Sequence, residues 1–450
     1  AGRSRLRQRV ANAAARVRRN ERRSHRLPAA SPFRQSAAFL PTVTKLSQPW
    51  GNAPATSAPP VPRPARGGTR GVADDGTGGT EMFTLQLLHA SDLEGGVDAI
   101  DNAPNFAAVV DAFEREAATQ GIASILLSGG DNYIPGPFFN AGANGGLAET
   151  YEGFYNQYFG LIDISVLGAS VDTNGDGFFD NDEIEAEING SGLTVDDIYT
   201  TDVNGDGTKD FFEEIDTAPG RIDVAIMNRL GLDATAVGNH EFDAGTGGFF
   251  DAVNYESEEG NDLSAGRYGE ANFLQEVDSP GIQFPYLSAN LDFSRDGEIG
   301  AIFADEIRVS TDFVSDLAGA RVDPADPAAT GNDGRDAKAA PATIIEVDGE
   351  RIGVVGATTQ VVASISSTGT VDDVSNPGSN DMPALAAVLQ PVIDELTAAG
   401  VDKIILTSHL QQIALETELA GLLEDVDLIL AGGSDTILAD ATDRLRAGDT

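Results

Sequence analysis

Eight residues, Ala236-Val237-Gly238-Asn239-His240-Glu241-Phe242-Asp243, carry the densest chemistry in the chain. Asn239 offers an oxygen to a metal ion, His240 an imidazole for proton transfer, and Asp243 a carboxylate to orient that imidazole. The apolar run 233–237 reads as a short buried strand that Gly238 ends, so the polar side chains fall in a tight turn at a strand's carboxyl end. Open α/β sheets hold their ligands there. Polar turns close other apolar runs in the same way. Asp92 and Glu94 follow 83–88, Asp131 follows 122–127, His409 follows 403–406 and Asp435 follows 427–430. Carboxylates gathered with an Asn and a His, without basic neighbours, would repel one another unless cations held them. Two divalent ions about 3.5–4 Å apart, sharing Asp131, could clamp a phosphoryl group and activate a water for in-line attack. His240, oriented by Asp243, would then act as general acid or stabilise the transition state.

The elements that must position these residues alternate between strand and helix. Residues 103–118 have helical spacing, with Phe106, Val109, Val110 and Phe113 on one face. A helix is expected over 221–230 and a strand over 284–289. Asp348-Gly349 marks a hairpin between 343–347 and 351–355. A helix follows over 381–399, with Asp381 as N-cap and Pro391 as a kink, and another over 412–423. Strand, polar turn, helix, strand is α/β wiring. His89, within a strand, is expected to be structural, Asn290 to cap a turn, and Asp292 to lie outside the site.

Residues 142–218 interrupt that wiring with two loops of one pattern. Asp172, Asn174, Asp176, Asp180 and Glu183 stand at positions 1, 3, 5, 9 and 12 of the first, and Asp202, Asn204, Asp206, Asp210 and Glu213 at those of the second. Both place glycine at position 6. That is the calcium-loop pattern of an EF-hand, and a merely solvated acidic loop would not need Gly and Glu at those positions twice. Calcium in these loops is expected to be structural.

Charge divides the chain of 450 residues sharply. Residues 1–73 hold 15 of the 29 basic and one of the 71 acidic residues; the remainder holds 14 against 70, a balance of −56. So acidic a body has no basic face for nucleic acid and repels phosphate esters unless cations intervene. Four lysines in the whole chain suit salty surroundings, although solubility alone would also account for them. Without cysteine there are no disulfides and no thiolate zinc sites. No apolar run is long enough for a transmembrane segment, and no secretory signal is visible. Residues 1–80, Arg-rich and then Pro/Gly/Ala-rich, read as a disordered arm.

The series Asp92-x-Glu94, Gly129-Gly130-Asp131, Gly238-Asn239-His240-Glu241-Phe242-Asp243, Ala289-Asn290-Leu291-Asp292, Thr407-Ser408-His409 and Gly432-Gly433-Ser434-Asp435 resembles the 5′-nucleotidase branch of the calcineurin-like metallophosphoesterases. The resemblance covers roughly residues 83–440 without the calcium-loop insertion. It implies a four-layer α/β/β/α sandwich, with the catalytic domain in 81–141 and 219–450, truncated at its C-terminus, and the insertion in 142–218. It also implies a dinuclear metal centre: Asp92 on the first ion, Asp131 between the two, Asn239 and His409 on the second, with His240 and Asp243 as the catalytic dyad. Glu94 and Asp435 stand where the family keeps other ligands, histidine in the first case, and can still ligate through oxygen. They favour Mn²⁺, Mg²⁺ or Ca²⁺ over Zn²⁺. Gly433 cannot ligate, so the second ion loses a ligand unless Gln411 or a neighbour replaces it. The function implied is hydrolysis of a small phosphate monoester such as a nucleotide, outside the cell or at its surface. A phosphodiesterase on the same centre and a calcium-binding surface module without catalysis are the alternatives.

Overall fold

The computed structural model describes residues 83–93, 97–168, 170–203, 207–213, 215–257, 277–315 and 337–434, with Leu274 and Leu317. The chain divides into two units, Ala1–Thr56 and Ser57–Thr450, and every described residue lies in the second. The arm of residues 1–80, Glu94, Asn204, Asp206 and Asp435 lie outside the described residues.

The apolar runs pair into two five-stranded sheets. The first runs β1 (Leu85–Ala90), β2 (Ala123–Ser128), β3 (Ala234–Ala236), β6 (Tyr286–Leu287) and β9 (Ala339–Ala340), all parallel. The second runs β14 (Leu428–Gly432), β13 (Ile404–His409), β11 (Glu350–Thr358), β10 (Ala342–Val347) and β8 (Arg308–Val309). Its single antiparallel pair, β10 with β11, turns on Asp348 and Gly349, both at positive φ, as the twist of a two-residue hairpin requires. Two short ribbons complete the strands: β4 (Glu256–Ser257) with β5 (Val277–Ser279), and β7 (Leu291–Asp292) with β12 (Asp372–Asp373).

Three apolar cores stack these layers. Between the sheets, Ile125, Leu127 and Leu287 meet Ile345, Ile352, Val354 and Ile405. The first sheet is covered outside by the helices Val97–Gln120, Arg221–Leu230 and Gly245–Val253, around Val110, Met227, Phe249 and Tyr286. The second is covered by Met382–Ala398 and Ile413–Ala420, around Leu385, Leu389, Leu396 and Leu406. The order is helix, sheet, sheet, helix, the α/β/β/α sandwich. Each fully buried aliphatic side chain contributes about 1.5–3 kcal/mol against leaving it in water.

One expectation about helices fails. In Val97–Gln120, Val110 and Ala117 are buried, but Val109 and Phe113 are each about half exposed. The sheet beneath touches a narrower stripe than the four-residue face drawn from the sequence. The helix expected over 381–399 runs from Met382 to Ala398, with Pro391 inside it. Asp381 caps that helix as expected, its Oδ1 accepting from the Ala384 backbone N–H at 3.0 Å.

Candidate active site and metal centre

The carboxyl ends of the parallel strands in both sheets meet at one rim. β2 carries the chain to Gly129, whose carbonyl lies 2.8 Å from His409 Nδ1 at the end of β13. Thr407 Oγ1 donates to the Ser128 carbonyl at 2.8 Å, and Thr358 Oγ1, at the end of β11, donates to the Val237 carbonyl at 2.7 Å. The sheets are thus stitched together where the polar turns begin.

Asp131 is the centre of the rim and is almost fully buried. Its Oδ1 accepts from the His240 backbone N–H at 2.8 Å, and its Oδ2 lies 2.8 Å from His409 Nε2. Asp92, Asp131 and His409 each offer one ligand atom, all within 4.8 Å of one another. The donor set suits a divalent cation, and the Gly129 carbonyl on Nδ1 leaves Nε2 of His409 for the ion. Burial alone would lower the His409 pKa. The hydrogen bond and charge of Asp131, with the charge of Glu241, overcome that and push it up to about 9. A proton and a metal ion would compete for Nε2, because histidine ligates as the neutral imidazole.

Asn239 and His409 are joined through Gln411, whose Nε2 bonds Asn239 Oδ1 and lies 3.0 Å from His409 Nε2. Gly433 makes room for this: a Cβ there would stand 2.6 Å from His409 Nε2 and 3.0 Å from Gln411 Nε2. Gln411 stands between Asn239 and His409, and its amide oxygen and nitrogen can exchange places by a flip. Three rim residues, Asp92 (φ 54°), Asp131 (φ 51°) and Gln411 (φ 72°), hold left-handed backbone without being glycine. Such strain, of order 1–3 kcal/mol per residue, gathers at functional sites.

His240 presents both nitrogens to acids. Its Nδ1 lies 2.6 Å from Asp243 Oδ2, and its Nε2 lies 3.9 Å from Asp131 Oδ2. The imidazole is held from behind by Asp243 and directs Nε2 toward the Asp131 group, where it can deliver or stabilise charge. Its side chain is about one-third exposed, so a ligand can reach it.

Glu241, inside the same stretch, received no role from the sequence. It is fully buried; Oε2 accepts from the backbone N–H of Asp131 (3.1 Å) and Gly238 (2.8 Å), and Oε1 from that of Asn132 (2.8 Å). One carboxylate ties the turn after β2 to the turn after β3. Burial, with the charge of Asp131, raises its pKa against the opposing pull of those N–H groups. A Cβ on Gly238 would overlap the Asp131 carboxylate, which fixes glycine at that point. Asn290 does more than cap: its Nδ2 donates to the Thr358 carbonyl and to Asp373 Oδ1. His89 is exposed on β1. Asp292, half-buried at the end of β7, accepts from the Ser294 N–H at 2.9 Å and from Ser294 Oγ at 2.6 Å.

The 142–218 segment leaves and rejoins at one place, where a Cβ on Gly142 would stand 2.8 Å from the Ala218 carbonyl. In its first loop Asp172 accepts from Gly175 and Gly177 N–H, and Asn174 Nδ2 lies 3.4 Å from both Asp176 Oδ2 and Asp180 Oδ2. Glu183 Oε1 accepts from Thr173 and Asn174 N–H, while its buried Oε2 has no hydrogen-bond partner among the described residues. In the second, Asp202 Oδ2 accepts from Gly207 N–H, Asp210 Oδ2 accepts from Val203 N–H, and Glu213 is described. Asn181 Nδ2, beside the first loop, donates to the Phe212 carbonyl in the second at 2.8 Å.

No family model matches the chain. It is 26% identical over 222 residues to the trifunctional nucleotide phosphoesterase protein YfkN of Bacillus subtilis (strain 168), covering 49% of this chain and 12% of that protein. It is 30% identical over 214 residues to the 5′-nucleotidase of Diplobatis ommata, covering 47% and 25%. The relatives are 5′-nucleotidases and a nucleotide phosphoesterase. The chain spans between 12% and 28% of the length of the curated relatives it matches. Among solved structures it is similar to the 5′-nucleotidase precursor of Thermus thermophilus, at 21% identity and TM-score 0.37, covering 78% of this chain and 42% of that one.

Proposed function

We propose that this chain carries the catalytic part of a metal-dependent phosphomonoesterase that acts on a nucleotide or another small phosphate ester. The observation that carries the reading is the cluster of Asp92, Asp131 and His409 beside a His240–Asp243 pair whose Nε2 faces Asp131. The similarity to 5′-nucleotidases supports it independently. Asp92, Asp131, Asn239 and His409 would hold two divalent ions together with Glu94 and Asp435, with Gln411 as an added donor. Bound there, the ions supply Lewis acidity toward phosphoryl oxygens and an activated water. Asp243 orients His240, whose Nε2 hands a proton to the departing alkoxide or stabilises its charge. Glu241 holds the Asp131 and Gly238 turns at a fixed spacing, so that the charged side chains need not reorganise during the reaction. The loops 172–183 and 202–213 would each hold a structural calcium ion, and the orphaned Oε2 of Glu183, at loop position 12, supports this for the first. Work outside the cell is the compartment we infer, in keeping with calcium loops and with a relative named as a snake venom 5′-nucleotidase of Naja atra.

The test is phosphate release from AMP by protein stripped with chelator and then given Mn²⁺, Mg²⁺, Zn²⁺ or Ca²⁺ singly. Metal-dependent turnover that drops about 10²- to 10⁴-fold in His240→Ala is expected. Absence of turnover with every ion, while calcium still raises the melting temperature, would leave a calcium-binding module and remove the hydrolase.

A further inference from the structure

We propose that Ser366 is a positioning residue for the His240–Asp243 pair, an inference that rests on the hydrolase reading above. Asp243 lies on a short turn and its side chain is 28% exposed. A carboxylate there has a broad, twofold torsion and two equivalent oxygens, so one hydrogen bond to His240 does not fix it. Oδ2 faces His240 Nδ1 at 2.6 Å, and Oδ1 accepts from Ser366 Oγ at 2.7 Å. With both oxygens engaged on opposite sides, the carboxylate plane is set, and the imidazole ring with it.

Ser366 is itself tied to the turn it supports. Its backbone N–H donates to the Val362 carbonyl at 2.9 Å, closing the short helix Val362–Ile365, and the Ser367 N–H donates to the Phe242 carbonyl at 3.3 Å. Val362 and Val371, both fully buried, pack in the same core as Phe242 and Phe249. The segment 362–371 is thus seated on the 240–243 turn through backbone and core together. The Ser366 hydroxyl donates one hydrogen bond, to Asp243 Oδ1, and takes no part in making or breaking bonds.

The experiment compares the metal-loaded enzyme with Ser366→Ala and Ser366→Thr on AMP. We expect Ser366→Ala to lower kcat about three- to tenfold, the worth of one net hydrogen bond, with KM within about twofold. Thr keeps the hydroxyl and suits the extended backbone of Ser366 (φ −145°, ψ −173°), so Ser366→Thr should recover most of kcat. An unchanged kcat in Ser366→Ala, a rise in KM with kcat intact, or a Thr variant no better than Ala overturns the proposal. A second measurement needs no activity. In the ¹⁵N-histidine NMR spectrum, assigned with His240→Ala, the Nδ1–H signal of His240 should broaden or shift in Ser366→Ala and return in Ser366→Thr; an unmoved signal overturns the proposal. Wild-type protein without turnover would count against the hydrolase reading alone, and the spectrum would still decide the role of Ser366.

Discussion

At the scale of single residues, the site is organised by groups that bond to backbone as much as by those with obvious chemistry. Asp131 and His240 were marked by type and spacing, yet what holds them together is Glu241, through three backbone N–H groups from turns more than a hundred residues apart in sequence. Glu241→Gln keeps the shape but leaves one amide end facing donors it cannot accept from. We expect a loss of about 1–3 kcal/mol in urea unfolding, the cost of an unsatisfied buried N–H. Affinity for the first added divalent ion, measured by calorimetry, should fall with it, because Asp131 is no longer held. A variant with wild-type stability and metal affinity would show that the three bonds add nothing.

At the scale of elements, the helix Arg221–Leu230 carries a charge problem of its own. Asp223 is buried, its Oδ2 has no hydrogen-bond partner among the described residues, and burial pushes its pKa up to about 7. The folded state therefore binds this proton more tightly than the unfolded chain, whose carboxyl titrates near 4. Stability from this group is complete below about pH 4, falls as pH rises, and is lost above about pH 7. Asp223→Asn should flatten that slope and stabilise the protein at pH 8 by a few kcal/mol, about 4 at most. Unfolding curves at pH 5 and pH 8 check this; equal effects at both would contradict it. The inserted loops make a second prediction at this scale. By calorimetry Glu183→Gln should bind one calcium ion fewer than the wild type, and saturating calcium should raise the melting temperature by several degrees. No change of stoichiometry in Glu183→Gln would remove the ion from the first loop.

At the scale of the whole molecule, charge decides the conditions under which the fold is stable. Residues 74–450 carry a balance of −56, and such self-repulsion opposes the compact state. Raising KCl from about 10 mM to 1 M shrinks the screening length roughly tenfold. The melting temperature of the calcium-loaded protein should therefore rise with KCl, by several degrees. A flat or falling curve would mean that local ion pairs, such as Arg295 with Asp372, outweigh the net repulsion.

The sequence by itself determined the order of elements, because hydrophobic periodicity and turn residues act locally. Arg221–Leu230 and the Asp348-Gly349 hairpin fall where the pattern places them, Asp131 and His240 follow buried strands, and His409 ends one. It also put Asp92, Asp131 and His409 at strand ends, which is why their convergence was foreseeable once the wiring was α/β. The tertiary structure decided what local rules cannot reach. Val109 and Phe113 are left in solvent because only the facing sheet sets how wide a helix face is covered. Glu241, Gln411 and Ser366 gain their roles from partners 110, 172 and 123 residues away. No spacing rule links such positions, since a hydrogen bond across two turns is specified only when packing of both sheets fixes the distance between them.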